Sequence, residues 1–265
     1  MTPLDAVLID EESPTAAKQR VPRLQYWESL KFIFRDPDWM TTIMWGFLAL
    51  VSAHVVPLLG QLVLIGYVYE VILELHRHDG RWYPRFDINR FVDYLRQSVP
   101  IFLVSLVGTL IMLPFAGVVA GSGFLIGAGL MDVFDEEVSQ TIAAVSVGVV
   151  TLFVLWLVMF AYTLILGPLA LRGAFTGEIG EAFRFSWALD FARKTWWETL
   201  LMSFFLTAVA IPLQIAGLAA ACVGVHATTV IIYLSSAHFT YQLYRVYLAR
   251  GGEPSPLRMH GAPTV

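Results

Sequence analysis

Four stretches of this chain contain no Asp, Glu, Lys or Arg: Trp39–Tyr69 (31 residues), Gln97–Met131 (35), Val138–Leu171 (34) and Thr199–Tyr244 (46). A helix rises about 1.5 Å per residue and the hydrocarbon of a bilayer is roughly 30 Å thick, so about 20 such residues make one membrane span. The last stretch therefore holds two spans. The first is long for one span and short for two, but Pro57-Leu58-Leu59-Gly60 offers a turn in its middle. A second helix fits there if it runs past Glu70 and Glu74 to Arg77. The fold class expected is all-α integral membrane, with six transmembrane helices at about 40–57, 59–77, 98–118, 143–169, 199–218 and 225–246.

Composition agrees: 57% of the chain is hydrophobic and 14% charged, where soluble domains carry about 25% charged residues. Seventeen Lys and Arg against 21 Asp and Glu leave no basic excess for nucleic acid. A single cysteine, Cys222, excludes an internal disulfide framework.

Basic residues collect on the cytoplasmic side of short loops, and they sort cleanly here. Lys18, Arg20, Arg23, Lys31 and Arg35 precede the first span; Arg77, Arg81, Arg85, Arg90 and Arg96 lie between spans two and three. Arg172, Arg184, Arg193 and Lys194 separate spans four and five, and Arg245, Arg250 and Arg258 follow span six. With six spans all 17 fall on one side; with five, the set splits. The expected location is the cytoplasmic (inner) membrane with both termini in the cytoplasm. The acidic outer turn, Asp132, Asp135, Glu136 and Glu137, then carries the whole formal charge of -4. No cleavable signal peptide is visible, because the first apolar run starts near Trp39 behind Asp10, Glu11 and Glu12. Residues 1–21 read as a disordered polar tail and residues 251–265 as a flexible one.

A charged but periodic segment precedes each odd-numbered span, and each reads as an amphipathic helix. Leu24, Trp27, Leu30 and Phe34 form the first apolar stripe; Ile88, Phe91 and Leu95 the second; Ile179, Phe183, Trp187 and Phe191 the third. Such stripes, edged by aromatic and basic residues, suit a helix lying in the headgroup layer. The expected interface residues are Trp27, Trp39, Trp187, Trp196, Trp197, Arg184 and Lys194. Returning spans end alike, at Leu75-His-Arg-His-Asp-Gly80, Leu171-Arg-Gly173 and Leu248-Ala-Arg-Gly251. The membrane domain, 22–250, thus reads as a pseudo-threefold repeat of interfacial helix and hairpin, with units of about 22–80, 84–173 and 176–250.

Three segments, Gly66-Tyr-Val-Tyr-Glu-Val71, Glu181-Ala-Phe-Arg-Phe-Ser-Trp187 and Ala237-His-Phe-Thr-Tyr-Gln-Leu-Tyr-Arg245, resemble the membrane proteins of domain-of-unknown-function family 4013. The resemblance covers about Leu24 to Arg250 and implies a prokaryotic inner-membrane protein; it transfers no catalytic residue. More remotely, the arrangement is similar to the membrane domain attached to some glycerophosphodiester phosphodiesterases.

Metalloprotease, nucleophile-elbow, Cys-x-x-Cys and phosphate-loop signatures are absent. Gly117-Val-Val-Ala-Gly121 and Gly123-Phe-Leu-Ile-Gly127 read as close-packing motifs, and with Pro114 they mark where the third span should break or tilt. Ionisable groups inside spans by default suggest function. Glu70 and Glu74, four residues apart with His78 extending the line, suit a cation or proton relay; a span end pairing with Arg on a neighbouring interfacial helix suits them better. His238, beside Ser235, Ser236, Thr240 and Tyr241, marks a polar interior between helices, while His54 and His226 fall near the outer face. The four outer carboxylates are a weaker divalent-cation candidate. Glu70, Glu74, His238 and Tyr241 make up the candidate intramembrane site; no cofactor or metal is expected. The expected function is a non-enzymatic scaffold or partner subunit at the cytoplasmic leaflet. Its partners would be the lipid bilayer and other membrane proteins or a second copy of the chain. The competing readings are a small-solute or ion transporter lined by Glu70, Glu74 and His238 and, behind it, an intramembrane lipid-modifying enzyme.

Overall fold

A computed structural model describes residues 22–80, 82–133, 137–220 and 224–257. Among these residues there is no strand. A short helix, α1 (Tyr26–Lys31), leads through a 3-10 turn (Phe32–Arg35) to α2 (Trp39–Ser52) and α3 (Leu59–Arg77). A second 3-10 turn (Ile88–Arg90) opens α4 (Phe91–Val133), followed by α5 (Glu137–Thr176), the single turn α6 (Ile179–Ala182), α7 (Phe185–Ala219) and α8 (Gly224–Ala249). The consecutive pairs α2/α3, α4/α5 and α7/α8 pack together. Helices satisfy their own backbone hydrogen bonds, which is why apolar runs of this length take that form.

The ambiguous first stretch is indeed two helices, turning where Pro57 and a left-handed Leu58 (φ 69°) reverse the chain. Among the described residues, four helical segments are long and apolar enough to cross a membrane: Leu59–Arg77, Ile88–Leu130, Val138–Thr176 and Ile179–Ala219. Two expected spans fall outside that set for different reasons. With 14 residues, α2 is only about 21 Å long. The 26 residues of α8 suffice in length, but His226, Thr228, Thr229, Ser235, Ser236, His238, Thr240 and Gln242 make it too polar.

Two further expectations change. Helix α4 runs unbroken through Pro100 and Pro114, since a proline removes one backbone hydrogen bond and the turns on either side hold the rest. The first amphipathic segment is a helix apart from its span. In the second unit the stripe runs directly into α4, and in the third it starts in the single turn α6 and passes through Phe183 and Arg184 into α7. The difference lies at the junction: Asp36-Pro37-Asp38 interrupts the first unit, whereas Arg193-Lys194-Thr195 lets α7 continue.

The core lies at the end of the molecule where the basic residues gather. Ile33, Tyr67, Val71, Tyr94, Phe175, Trp187, Phe239, Tyr244 and Tyr247 are all buried there. The far halves of α4 and α5 are the opposite, with Phe124 75% and Leu152 68% exposed. The residues after α8 are docked rather than free. Glu253 N–H donates to Tyr247 Oη (3.0 Å), Ser255 N–H to Tyr244 Oη (2.9 Å), and Trp187 Nε1 donates to Glu253 O (2.8 Å). The tail expected from Gly251 thus begins as a strap across α7 and α8, because two tyrosine hydroxyls and an indole N–H need partners at the buried surface. The tails at 1–21 and 258–265 lie outside the described residues.

Candidate functional site

The three returning helices end in the same way. Gly80, Gly177 and Gly251 each adopt left-handed backbone (φ 76°, 70° and 72°), the conformation that lets a chain leave a helix while its N–H closes on a carbonyl of the last turns. These bonds are Gly80 to Leu75 O (2.7 Å), Gly177 to Gly173 O (2.8 Å) and Gly251 to Leu248 O (3.0 Å). Close by, one ring from each returning helix meets the other two: His76–Tyr244 at 5.0 Å, Phe175–Tyr244 at 5.1 Å and His76–Phe175 at 5.9 Å between centroids.

Each segment leading into a hairpin lies on the returning helix of another hairpin, and a polar clasp joins each pair. On α3, Glu70 is 3% exposed and takes a two-pronged bond from Arg90, Nη1 to Oε1 at 2.5 Å and Nη2 to Oε2 at 2.9 Å. The backbones approach closely here: a Cβ on Gly66 would lie 2.0 Å from Tyr94 O. On α5, Arg172 is 1% exposed. It donates from Nε (3.0 Å) and Nη2 (2.5 Å) to Glu181 Oε2 and lies 5.2 Å from the Trp187 ring; its Nη1 has no partner. These bonds hold the Glu181 carboxyl below the usual range. On α8, His238 Nδ1 lies 2.9 Å from both Ser29 Oγ of α1 and Gln242 Nε2. Because an amide nitrogen only donates, Nδ1 is an acceptor, and the ring stacks on Phe32 at 4.6 Å. The order is cyclic: segment two on helix α3, segment three on α5, segment one on α8.

The residues expected to form one intramembrane site are thereby separated. Glu70 closes on Arg90. Glu74 pairs with Arg77 Nη1 (2.6 Å) and His78 Nε2 (3.3 Å), so the expected row along α3 is partly realised as a local pair. His238 joins Ser29 and Gln242. Tyr241 faces Asp79 and Arg245, with its ring 6.0 Å from His238. His54 and His226 meet near the opposite end, 5.1 Å between centroids. Of the interface residues, Trp27, Trp196 and Trp197 are exposed, Trp39 is half-buried, Arg184 reaches Glu253 (3.3 Å) and Lys194 reaches Asp190 (2.8 Å). Trp187 is 2% exposed, since its ladder faces Arg172, Tyr247 and the strap. The Lys194 bond, with one from Tyr247, holds the Asp190 carboxyl low.

Arg90, Ser29, Gln242 and the strap were not singled out from sequence, and Arg172 was read only as a loop cation. Its flanks, Leu169-Ala-Leu171 and Gly173-Ala-Phe175, carried the signal, because every other basic residue has a polar neighbour nearby. Among the described residues no group of three or more His, Cys, Asp or Glu converges as metal ligands do. The side chains of the acidic turn, Asp132 to Glu137, and Cys222 lie outside the described residues.

Described residues that form helices and no strand, with four segments among them long and apolar enough to cross a membrane and a polar clasp network at one end, define as a class a helical membrane protein. The family described as a protein of unknown function (DUF4013) matches residues 49–225, two thirds of the chain, and the chain belongs to it. That match takes in the Gly66–Val71 and Glu181–Trp187 segments, while the Ala237–Arg245 segment follows it. No curated protein and no solved structure matches the chain.

Proposed function

We propose that the chain is a six-span protein of the cytoplasmic membrane, built as three repeats, that acts without catalysis as a scaffold or partner subunit. The basic end and both termini face the cytoplasm, where the exposed rings of Trp27, Trp82, Trp196 and Trp197 sit at headgroup level. Three like helix ends, three clasps and one ring from each returning helix support the repeat. The observation that carries the function is how the buried charge is used. Glu70, Arg172 and His238 are each bonded to partners inside the bundle, with Nη1 of Arg172 left over, and the rings of His76, Phe175 and Tyr244 meet between the returning helices. A solute path needs polar groups with free valences along its length. A free surface on the far halves of α4 and α5 is apolar instead, where Phe124, Leu125, Val145, Val149 and Leu152 are exposed.

The test pairs two measurements. Photo-reactive residues at Phe124 and Val145 in intact cells are expected to yield one discrete protein adduct, and proteoliposomes of the purified chain are expected to pass ions and small solutes no faster than protein-free vesicles. A flux that depends on the protein and falls with Glu70→Gln would replace the scaffold with the transporter.

A further inference from the structure

A cleft of about 430 Å³ opens between the ends of α3 and α8, lined by Pro22, His76, Asp79, Tyr241, Arg245 and Leu248. Its size falls in the range of small-molecule sites, about 300–1,000 Å³. Two clasps elsewhere at this end close tightly: Glu70–Arg90 at 2.5 Å and Arg172–Glu181 at 2.5 Å. The groups at this cleft do not. Arg245 Nη1 to Asp79 Oδ1 is 3.5 Å, Tyr241 Oη to Asp79 Oδ1 is 3.5 Å, and Arg245 Nη1 to Tyr241 Oη is 3.4 Å. A cation, a hydroxyl and a carboxylate converge at the outer limit of hydrogen bonding, where each retains capacity for another partner. The two charged side chains are 45% and 71% exposed, so little holds them to each other.

Asp79 is also in left-handed backbone, φ 52°, a conformation that aspartate adopts more readily than most residues. It presents the carboxylate beside Arg245. A simple anion would meet Asp79 and a simple cation would meet Arg245; a ligand carrying both charges satisfies each. Leu248 and Pro22 add an apolar wall.

We infer that this cleft binds the phosphoethanolamine group, its phosphate on Arg245 and Tyr241 and its ammonium on Asp79. The source is either the headgroup of phosphatidylethanolamine or a free water-soluble phosphodiester of ethanolamine. The inference depends on the proposed orientation only for which leaflet supplies the lipid.

The test titrates the full chain in detergent with dihexanoyl phosphatidylethanolamine, and separately with the phosphatidylglycerol and phosphatidylcholine of the same chain length, by native mass spectrometry. Because detergent has no sides, failure here is distinguishable from failure of the topology. The ethanolamine lipid is expected to bind at least tenfold tighter than the other two. Asp79→Asn, which keeps a residue that tolerates left-handed backbone, removes that preference; Arg245→Gln weakens all three lipids at least tenfold. Tyr241→Phe serves as a second variant, expected to weaken the ethanolamine lipid while leaving elution and melting unchanged. Competition by glycerophosphoethanolamine at equal concentration assigns the site to the free compound, and lack of competition assigns it to the lipid. Equal binding of all three lipids to the wild type, or unchanged ethanolamine binding in both charge variants, overturns the proposal.

Discussion

At the scale of single residues, the Glu70–Arg90 clasp has an asymmetry that predicts its mutants. The Glu70 side chain is 4% exposed and that of Arg90 34%. Removing the arginine strands a buried carboxylate, whereas neutralising the glutamate frees a cation that reaches solvent. Loss of one partner of a buried pair costs about 3–5 kcal/mol, and Arg90→Ala is expected near the top of that range. Glu70→Gln is expected to cost about half as much, because the amide still accepts one bond. Melting of the purified variants in detergent checks the order; equal losses, or a larger loss for Glu70→Gln, would count against the buried-charge account. The Arg172–Glu181 clasp predicts a pH effect. Folding holds the Glu181 carboxyl low through its bonds from Arg172. Its stabilisation is complete above the unfolded carboxyl's pKa, about 4.3, and fades as pH falls through that value towards the lower folded one. The gap in melting temperature between wild type and Glu181→Gln should therefore be constant from pH 8 to 6 and narrow below about pH 4.3.

At the scale of elements, close backbone approach and the strap make separate predictions. Gly66→Ala places a methyl against Tyr94 O, a backbone atom that cannot swing aside, so α3 and α4 must part, at about 1–3 kcal/mol. Ending the chain after Gly252 removes the partners of Trp187 Nε1 and Tyr244 Oη and one of the two partners of Tyr247 Oη, which keeps Asp190. At about 1 kcal/mol per net hydrogen bond, that truncation should cost about 3 kcal/mol and leave the Trp187 fluorescence red-shifted by water; an unshifted spectrum would mean that the strap covers nothing. Helices were legible in the sequence wherever charge was absent, and the α2/α3 turn was marked by Pro57. The strap was not legible, because Gly, Pro and Ser composition describes a chain without its own core and says nothing about donors waiting on another surface. Trp187 was misplaced for a related reason. A ladder of four-residue spacing fixes which residues share a face, not whether lipid or protein covers it. The buried role of Arg172 shows the same limit: its apolar flanks put it in the interior, while its clasp partner had to come from another helix.

At the scale of the whole molecule, the question is whether α2 and α8 complete the membrane domain. Each fails a simple length or hydropathy criterion, and each has a physical remedy. The 14 residues of α2 are followed by Ala53 to Leu58, turn residues that carry no formal charge and have Val55 83% exposed, so the uncharged path from Trp39 to Leu58 is longer than the helix itself. In α8, Ser235 and His238 are buried and Gln242 is bonded to α1, so its polar side faces protein and the bilayer does not have to solvate it. Under the six-span proposal both helices cross only as members of the bundle. Topology reporters separate this from the simpler alternative. With six spans, alkaline phosphatase fused after residue 56, 134 or 222 is active, and green fluorescent protein fused after residue 83, 178 or 257 fluoresces. If the first apolar stretch were a single span, residue 83 would lie outside, and with it Arg85, Arg90 and Arg96, against the bias that keeps cations in the cytoplasm. Phosphatase activity at residue 83 would thus dismantle the orientation, the threefold reading and the placing of the clasps together.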